Sequence, residues 1–318
     1  MNLASLDLNL LVSLDALLQQ RSVTRAAAQM GLSQPALSAS LARLRRHFGD
    51  ELLSRVGNEY RLTPLAVQLK ELVRIALSGV ERVFTAQPEF DPASSTREFT
   101  LLVSDYVVVI LGDTIAELLS EEAPHTRLRL TPHSPALVER ADQTLLGADL
   151  LFMPHGFVTD VSHRDLYRDE WVVVLASDNP IADEGLTIED LETLPWVATY
   201  HGQTASTMAA RQMRMLGIEP KVTVINENFL TVPTLIAGSD RIALLQRRLV
   251  DQLPLNAGIR SVAPPFEVAP LIEAMWWHPA FDDDPEHRYL RDLVLRAAEL
   301  AVGAEAVIDL TDTQAQKK

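Results

Sequence analysis

Apolar residues recur with the spacing of helices over the first quarter of the chain, then collect from about Glu98 onward into short strand-sized runs. Leu10, Leu14 and Leu17, flanked by Leu11 and Leu18, predict a first helix with one buried stripe. Ser22 suits the N-cap of a short Ala-rich helix over residues 23–30, which Gly31 breaks. Ser33 then caps a third helix whose first turn tolerates Pro35, because the amides there have no intrahelical partner. In that helix Leu37, Leu41, Leu44 and Phe48 share one face. Pro35, Ser38, Ala39, Ala42, Arg43 and Arg46 fall opposite, with Gln34 at the leading end. Small residues let a helix approach a groove, and arginines reach phosphates or base edges, so the pair of helices predicts a helix-turn-helix. The same pattern also fits an Ala/Arg-rich surface helix in an ordinary bundle.

Beyond Gly49, the stretches ELLSRV and EYRLT around Gly57-Asn58 predict a hairpin, with Arg55 and Arg61 lining a wing. Thr63 caps and Pro64 starts a long helix. Its Leu65, Leu69, Leu72, Ala76, Val80 and Val83 form an apolar stripe, which suits either a dimerisation seam or docking on the helix's own domain. The run TAQPEFDPASST reads as a linker. Strands follow at EFTLLVS, TRLRLT, DLLFM, EWVVVLA, PWVAT, KVTVI, RIALLQ, GIRSVA and VAPLIEAMWW. Helices are predicted at 107–122, 134–146, 187–194, 204–216, 230–237 and 284–302, an alternation that builds α/β domains. Residues 304–318 are expected to be a disordered tail.

Composition narrows the function. At 318 residues the chain exceeds one ordinary domain, and 47% hydrophobic with 22% charged residues is a soluble globular balance. The absence of cysteine excludes disulfides, thiolate metal sites and cysteine nucleophiles. No apolar run reaches membrane-spanning length and no secretory leader is evident, so a cytoplasmic location and no membrane partner are expected. The net charge of −15 is unevenly spread: residues 1–90 carry +2, residues 91–318 carry −17, and 21–61 alone carry +4. That asymmetry suggests a nucleic-acid-binding end on an acidic body, although solubility alone would account for the body's charge. The eight histidines are scattered, and no HExxH, GxSxG, GxGxxG or phosphate-loop motif occurs. No enzyme activity, cofactor or metal is expected.

The run SVTRAAAQMGLSQPALSASLARLRRHFGDELLSR, followed by RLTPLA, resembles without gaps the N-terminal signature of LysR-type transcriptional regulators. The resemblance implies an α/β protein with an N-terminal all-α winged helix-turn-helix over 1–64 and a long linker and dimerisation helix with hinge over 65–96. A two-lobed effector domain resembling periplasmic binding proteins would occupy 97–303. Lobe one would hold 97–164 and 270–302 and lobe two 165–269, with crossovers near 163–167 and Pro264-Pro265. It further implies that Ser33, Gln34, Pro35, Ser38 and Arg43 face double-stranded DNA, with Arg55 and Arg61 on phosphates. Homodimers pairing into tetramers on interrupted palindromes, contact with RNA polymerase, and a small-molecule effector belong to the same expectation.

In open α/β sheets ligands sit beyond the carboxyl ends of strands. That rule points to Ser104, Asp105 and Tyr106 after one strand and to Met153, Pro154 and His155 after another. In lobe two it points to Thr199, Tyr200, His201 and Gly202, and to Asn226, Asn228 and Phe229, while Trp277 closes a late strand. Each has a plainer role available: Asp105 as a helix cap, His155 and His201 as surface loop residues, and one of Trp276 and Trp277 as core. DLLFMPHGF and RVGNEYRLTPLA are similar to the NodD and aromatic-compound branch of the family, which implies a planar aromatic or phenolic effector. Asp105 stands where a small hydroxyl residue is expected beside an anionic ligand, which argues against a simple carboxylate.

Overall fold

The computed structural model describes residues 7–56, 59–85, 90–199 and 207–303. The chain divides into two compact units, 1–87 and 88–318.

In the first unit, helices α1 (Leu8–Gln20), α2 (Val23–Gln29) and α3 (Gln34–Phe48) pack on one another through Leu14, Leu17, Ala26, Ala27, Leu37, Leu41 and Leu44. Each start is capped by the side chain before it, namely Asp7, Ser22 and Ser33. Gly31 lies between α2 and α3 at φ +64°, where a side chain would meet nothing within 4 Å; its requirement is conformational, not steric. Strands β1 (Leu53–Val56) and β2 (Glu59–Leu62) pair antiparallel as the wing; the predicted Gly57-Asn58 turn lies outside the described residues. Helix α4 (Pro64–Thr85) follows, and it docks on α1. Ala66, Leu69, Val73 and Leu77 make that contact with the core. The first half of α4 thus contributes to the core of the first unit.

The second unit holds two sheets. The first is ordered β4-β3-β5-β12-β6, from β3 (Glu98–Val103), β4 (Arg127–Pro132), β5 (Leu150–Phe152), β6 (Ser162–Asp169) and β12 (Leu271–Trp277). β3 runs parallel to β4 and β5, whereas β12 is antiparallel to β5 and β6. The second sheet has β7 (Trp171–Ala176) between β10 (Ala243–Gln246) and β11 (Ile259–Val262). The parallel pair β8 (Pro195–Thr199) and β9 (Lys221–Asn226) extends it through a bridge from Trp196 to Ile242.

β6 corrects the expected lobe boundary. Residues 163–167, where a crossover is expected, instead lie within the polar run SHRDLYRD, an edge strand of the first sheet along all of β12. An edge strand needs only one apolar face and its outer rim welcomes charge, so its polarity hides it from a hydrophobic pattern. The chain passes to the second sheet at Glu170 and returns through 263–270, the segment holding Pro264 and Pro265. β5 and β7 are buried throughout because both faces of each sheet are covered. On one face of the first sheet lie the helices Asp113–Glu122 and Pro285–Val302; on the other, Leu102, Leu145, Leu151 and Trp276 form a smaller cluster.

Candidate functional site

On α3, Gln34, Pro35, Ser38, Arg43 and Arg46 are exposed, and Leu37, Leu41 and Leu44 are buried beneath them. Ser33 is exposed too, but its Oγ is engaged by the Ala36 amide at 3.4 Å. Arg43 reaches Asp7, with Nη1 to Oδ2 at 3.1 Å, a surface ion pair that an incoming phosphate can replace. Arg45, which the helical pattern does not single out, turns the other way. It donates to the carbonyls of Glu51 (2.8 Å) and Leu53 (3.1 Å), tying the end of α3 to the wing. Asp50 Oδ1 accepts from the Leu52 amide and the Thr63 hydroxyl, each at 2.6 Å, and Thr63 Oγ1 accepts from the Ala66 amide at 3.1 Å. These bonds hold the wing's two ends together. Within the wing Arg55 pairs with Tyr60 and Arg61 with Ser54, so the two exposed arginines leave opposite faces of the ribbon.

A cavity of about 420 Å³ lies between the lobes of the second unit. Lobe one contributes Ser104, Tyr106, Pro154 and Glu273, and lobe two Trp171, Met208, Phe229 and Gln246. Ser104 follows β3, and its Oγ caps the next helical turn by accepting from the Val107 amide. Tyr106 is buried and donates to Asp169 Oδ2 at 2.7 Å. Gly156 (φ +91°) packs against Met208, where a Cβ would come within 3.3 Å of its sulfur. The Gly156 carbonyl accepts from Arg211 at 2.9 Å, and the Arg211 guanidinium sits 4.1 Å over the Phe157 ring.

Three buried polar atoms of cavity residues have no hydrogen-bond partner among the described residues: Trp171 Nε1, Gln246 Oε1 and Glu273 Oε1. Trp171 and Gln246 are direct partners across β7 and β10. Glu273 lies on β12 opposite Tyr167. Burial pushes the Glu273 carboxyl up to about 8; the Ala274 amide opposes that shift and the nearby Asp169 charge adds to it. It is therefore largely protonated at neutral pH and can donate a hydrogen bond. Burial also lowers His133, another lining residue, to about 4, which leaves it neutral. Arg211, already engaged by Gly156 and Phe157, is the cationic lining side chain among the described residues.

The residues expected to line the effector site divide. Ser104, Tyr106, Pro154 and Phe229 line the cavity. Asp105 does not: its Oδ2 accepts from the Leu230 amide at 2.8 Å, a tie from lobe one to lobe two. His155 turns out of the cavity to Asp165, at 2.5 Å. Asn228 is exposed, and its carbonyl accepts from the Asn226 side chain and from the Thr231 hydroxyl. Trp277 is core: its indole donates to Asp282 at 2.7 Å and its ring lies 4.6 Å under the Arg291 guanidinium. Trp276 is core on the opposite face of β12. Tyr200 and His201 lie outside the described residues. Sequence reasoning passed over Trp171, Gln246 and Glu273, which read as ordinary strand positions. Only Glu273 carried a signal, a lone carboxylate in the apolar run VAPLIEAMWW. It also passed over a cluster of His155, His163 and Asp165.

A helix-turn-helix with a basic outer face, joined to a two-lobed domain with a largely apolar cavity that carries a few polar groups, defines a class: the ligand-sensing regulators of transcription. Residues 8–66 match the family model "Bacterial regulatory helix-turn-helix protein, lysR family", and residues 93–299 match "LysR substrate binding domain". The chain is 33% identical over 315 residues to Nodulation protein D 2 of Rhizobium tropici, covering 98% of this chain and 99% of that one. It is similar to a probable transcriptional regulator of Pseudomonas aeruginosa, with TM-score 0.69, 26% identity, and coverage of 92% and 97%. Full-length CbnR, solved in complex with its target DNA, shares the fold at TM-score 0.64 and 14% identity, with coverage of 92% and 100%. The chain belongs to the LysR family of transcriptional regulators, with an N-terminal DNA-binding domain and a C-terminal effector-binding domain. It is a regulator and not an enzyme.

Proposed function

We propose that this regulator responds to an uncharged, hydroxylated aromatic molecule held between its lobes. The observation that carries this reading is that three residues lining the cavity hold buried polar atoms without a hydrogen-bond partner among the described residues: the Trp171 indole N–H, the Gln246 amide carbonyl and the neutral Glu273 carboxyl. Leaving each unsatisfied costs about 1–3 kcal/mol, which a ligand with matching hydroxyl and carbonyl groups recovers. Tyr106, Phe157, Trp171 and Phe229 supply aromatic walls. A carboxylate ligand finds a protonated acid and a neutral imidazole there, and the Arg211 cation is already engaged.

On the DNA side α3 enters the major groove with Gln34, Pro35 and Ser38 leading, Arg43 and Arg46 follow along the backbone, and Arg55 and Arg61 flank it from the wing. The domains act as 1–64, 65–96 and 97–303 in this scheme. Homodimers form through α4 and pair into tetramers on interrupted palindromes. Effector entry shifts the lobe arrangement and with it dimer–dimer geometry, DNA bending and contact with RNA polymerase in the cytoplasm.

Selection of genomic fragments by the purified protein, footprinted at several salt concentrations, tests the DNA half. The expected result is a protected interrupted palindrome bound more weakly as salt rises. Thermal shift against matched pairs of phenols and aromatic carboxylates tests the effector half. Stabilisation by the phenols alone is expected, and equal or greater stabilisation by the carboxylates would overturn the ligand class.

A further inference from the structure

His155 follows the cavity residue Pro154 in the segment after β5, while His163 and Asp165 stand on β6. One ligand atom from each of the three lies within 4.8 Å of the others. His155 Nε2 is 2.5 Å from Asp165 Oδ1. The two imidazoles meet edge to face with centroids 5.0 Å apart, and Trp276 backs both, at 5.2 Å from His155 and 4.5 Å from His163. Trp276 is itself fixed by a 2.6 Å bond from Nε1 to the Met153 carbonyl. His163 is exposed and the other two are half-buried, so a hydrated ion can reach the cluster from solvent.

We propose that His155, His163 and Asp165 form a site for a divalent transition-metal ion, zinc or copper, that pins residues 153–157 to β6. Two imidazoles and one carboxylate are a donor set of intermediate softness, suited to these ions rather than to calcium or magnesium, which demand oxygen. Residues two apart on a strand share a face, which is how His163 and Asp165 come to flank one point. Metal–ligand bonds of roughly 2.0–2.2 Å place neighbouring ligand atoms about 3–3.5 Å apart, so modest side-chain rotation closes the present spread. Three protein ligands leave a further position for water. The pinned segment includes Pro154, Gly156 and Phe157, which wall the cavity, so the ion stiffens one wall of the ligand site.

The test uses the full-length, tag-free chain stripped with a chelator. Titration calorimetry with zinc is expected to give one ion per chain, and copper is expected to quench tryptophan fluorescence through Trp276 at the same stoichiometry. His163→Ala and Asp165→Asn should each weaken zinc binding at least about tenfold, while His125→Ala, an exposed histidine elsewhere, should not. Near-ultraviolet circular dichroism verifies that the variants remain folded, which the exposed position of His163 favours. Zinc should also slow amide hydrogen exchange across 155–158 in the wild-type chain and not in His163→Ala. The proposal is overturned by the absence of saturable binding in the wild-type chain. It is equally overturned if the two ligand variants bind zinc with wild-type affinity and stoichiometry.

Discussion

Glu273 is a carboxyl whose buried environment changes its titration strongly. In the unfolded chain its carboxyl titrates near the ordinary value of 4.5, and in the folded protein near 8. Between those values the folded state holds a proton that the unfolded state has released, so stability falls as pH rises through the window. Glu273→Gln keeps the shape without the charge. We expect it to raise Tm by roughly 5 °C at pH 8 and to leave it nearly unchanged at pH 4. Parallel melting curves at the two pH values decide this, and an equal shift at both removes titration as the cause. On α3 the contrast is between information and attraction. Gln34→Ala should relax base preference at one position, by about 1–3 kcal/mol if the contact is bidentate. Arg46→Ala should weaken all sequences alike and flatten the salt dependence. Binding to a randomised operator library separates the two, and identical specificity profiles would place the helix in the wrong register.

Elements are held by a few side chains far apart in sequence. Asp149, just before β5, accepts from the Thr100 amide of β3 at 2.7 Å and pairs with Arg97, which also reaches Glu286 on the helix Pro285–Val302 at 2.5 Å. Asp149 is almost fully buried and Arg97 nearly so. Asp149→Ala removes one of that guanidinium's two carboxylate partners and the acceptor of the Thr100 amide, and we expect a loss of about 3–5 kcal/mol in urea unfolding of the second unit. A loss below about 1 kcal/mol would mean Glu286 alone satisfies Arg97. Helix α4 has two apolar faces rather than the single stripe its sequence suggests. Val73 is buried against the winged domain, while Leu72, one position away, is 59% exposed, as are Val83 at 73% and Phe84 at 82%. Val73→Ala should therefore destabilise the domain by about 2 kcal/mol without changing assembly. Leu72→Glu should leave Tm nearly unchanged and shift the protein towards monomer in light scattering. If Leu72→Glu stays fully assembled, the exposed face is not the seam.

Over the whole effector domain, the lobes are joined by ties that only the fold creates. Asp105→Ala removes the carboxylate that accepts from the Leu230 amide. A hydrogen bond to a charged group supports exchange about tenfold faster at that amide, measurable by mass spectrometry; an unchanged rate would mean other contacts hold the lobes. The order of these parts was largely legible in the sequence. Capping serines, the turn at Gly31 and leucines three and four apart determine α1 to α3 and leave the Ser/Ala/Arg face of α3 exposed, because helix formation depends on neighbours within a turn or two. Short apolar runs marked most strands of the effector domain. β6 was missed because an edge strand does not need a continuous apolar pattern. The cavity floor was missed for a deeper reason. Trp171, Gln246 and Glu273 come from three strands of two sheets, and apart from the apolar run around Glu273 nothing near them in sequence signals the loss of water that they share. His155 meets His163 and Asp165 in the same way, through a sheet register rather than a motif. Local spacing determined the elements and which side of each is apolar; packing alone decided which polar groups are dehydrated together, and burial in common is what makes a site.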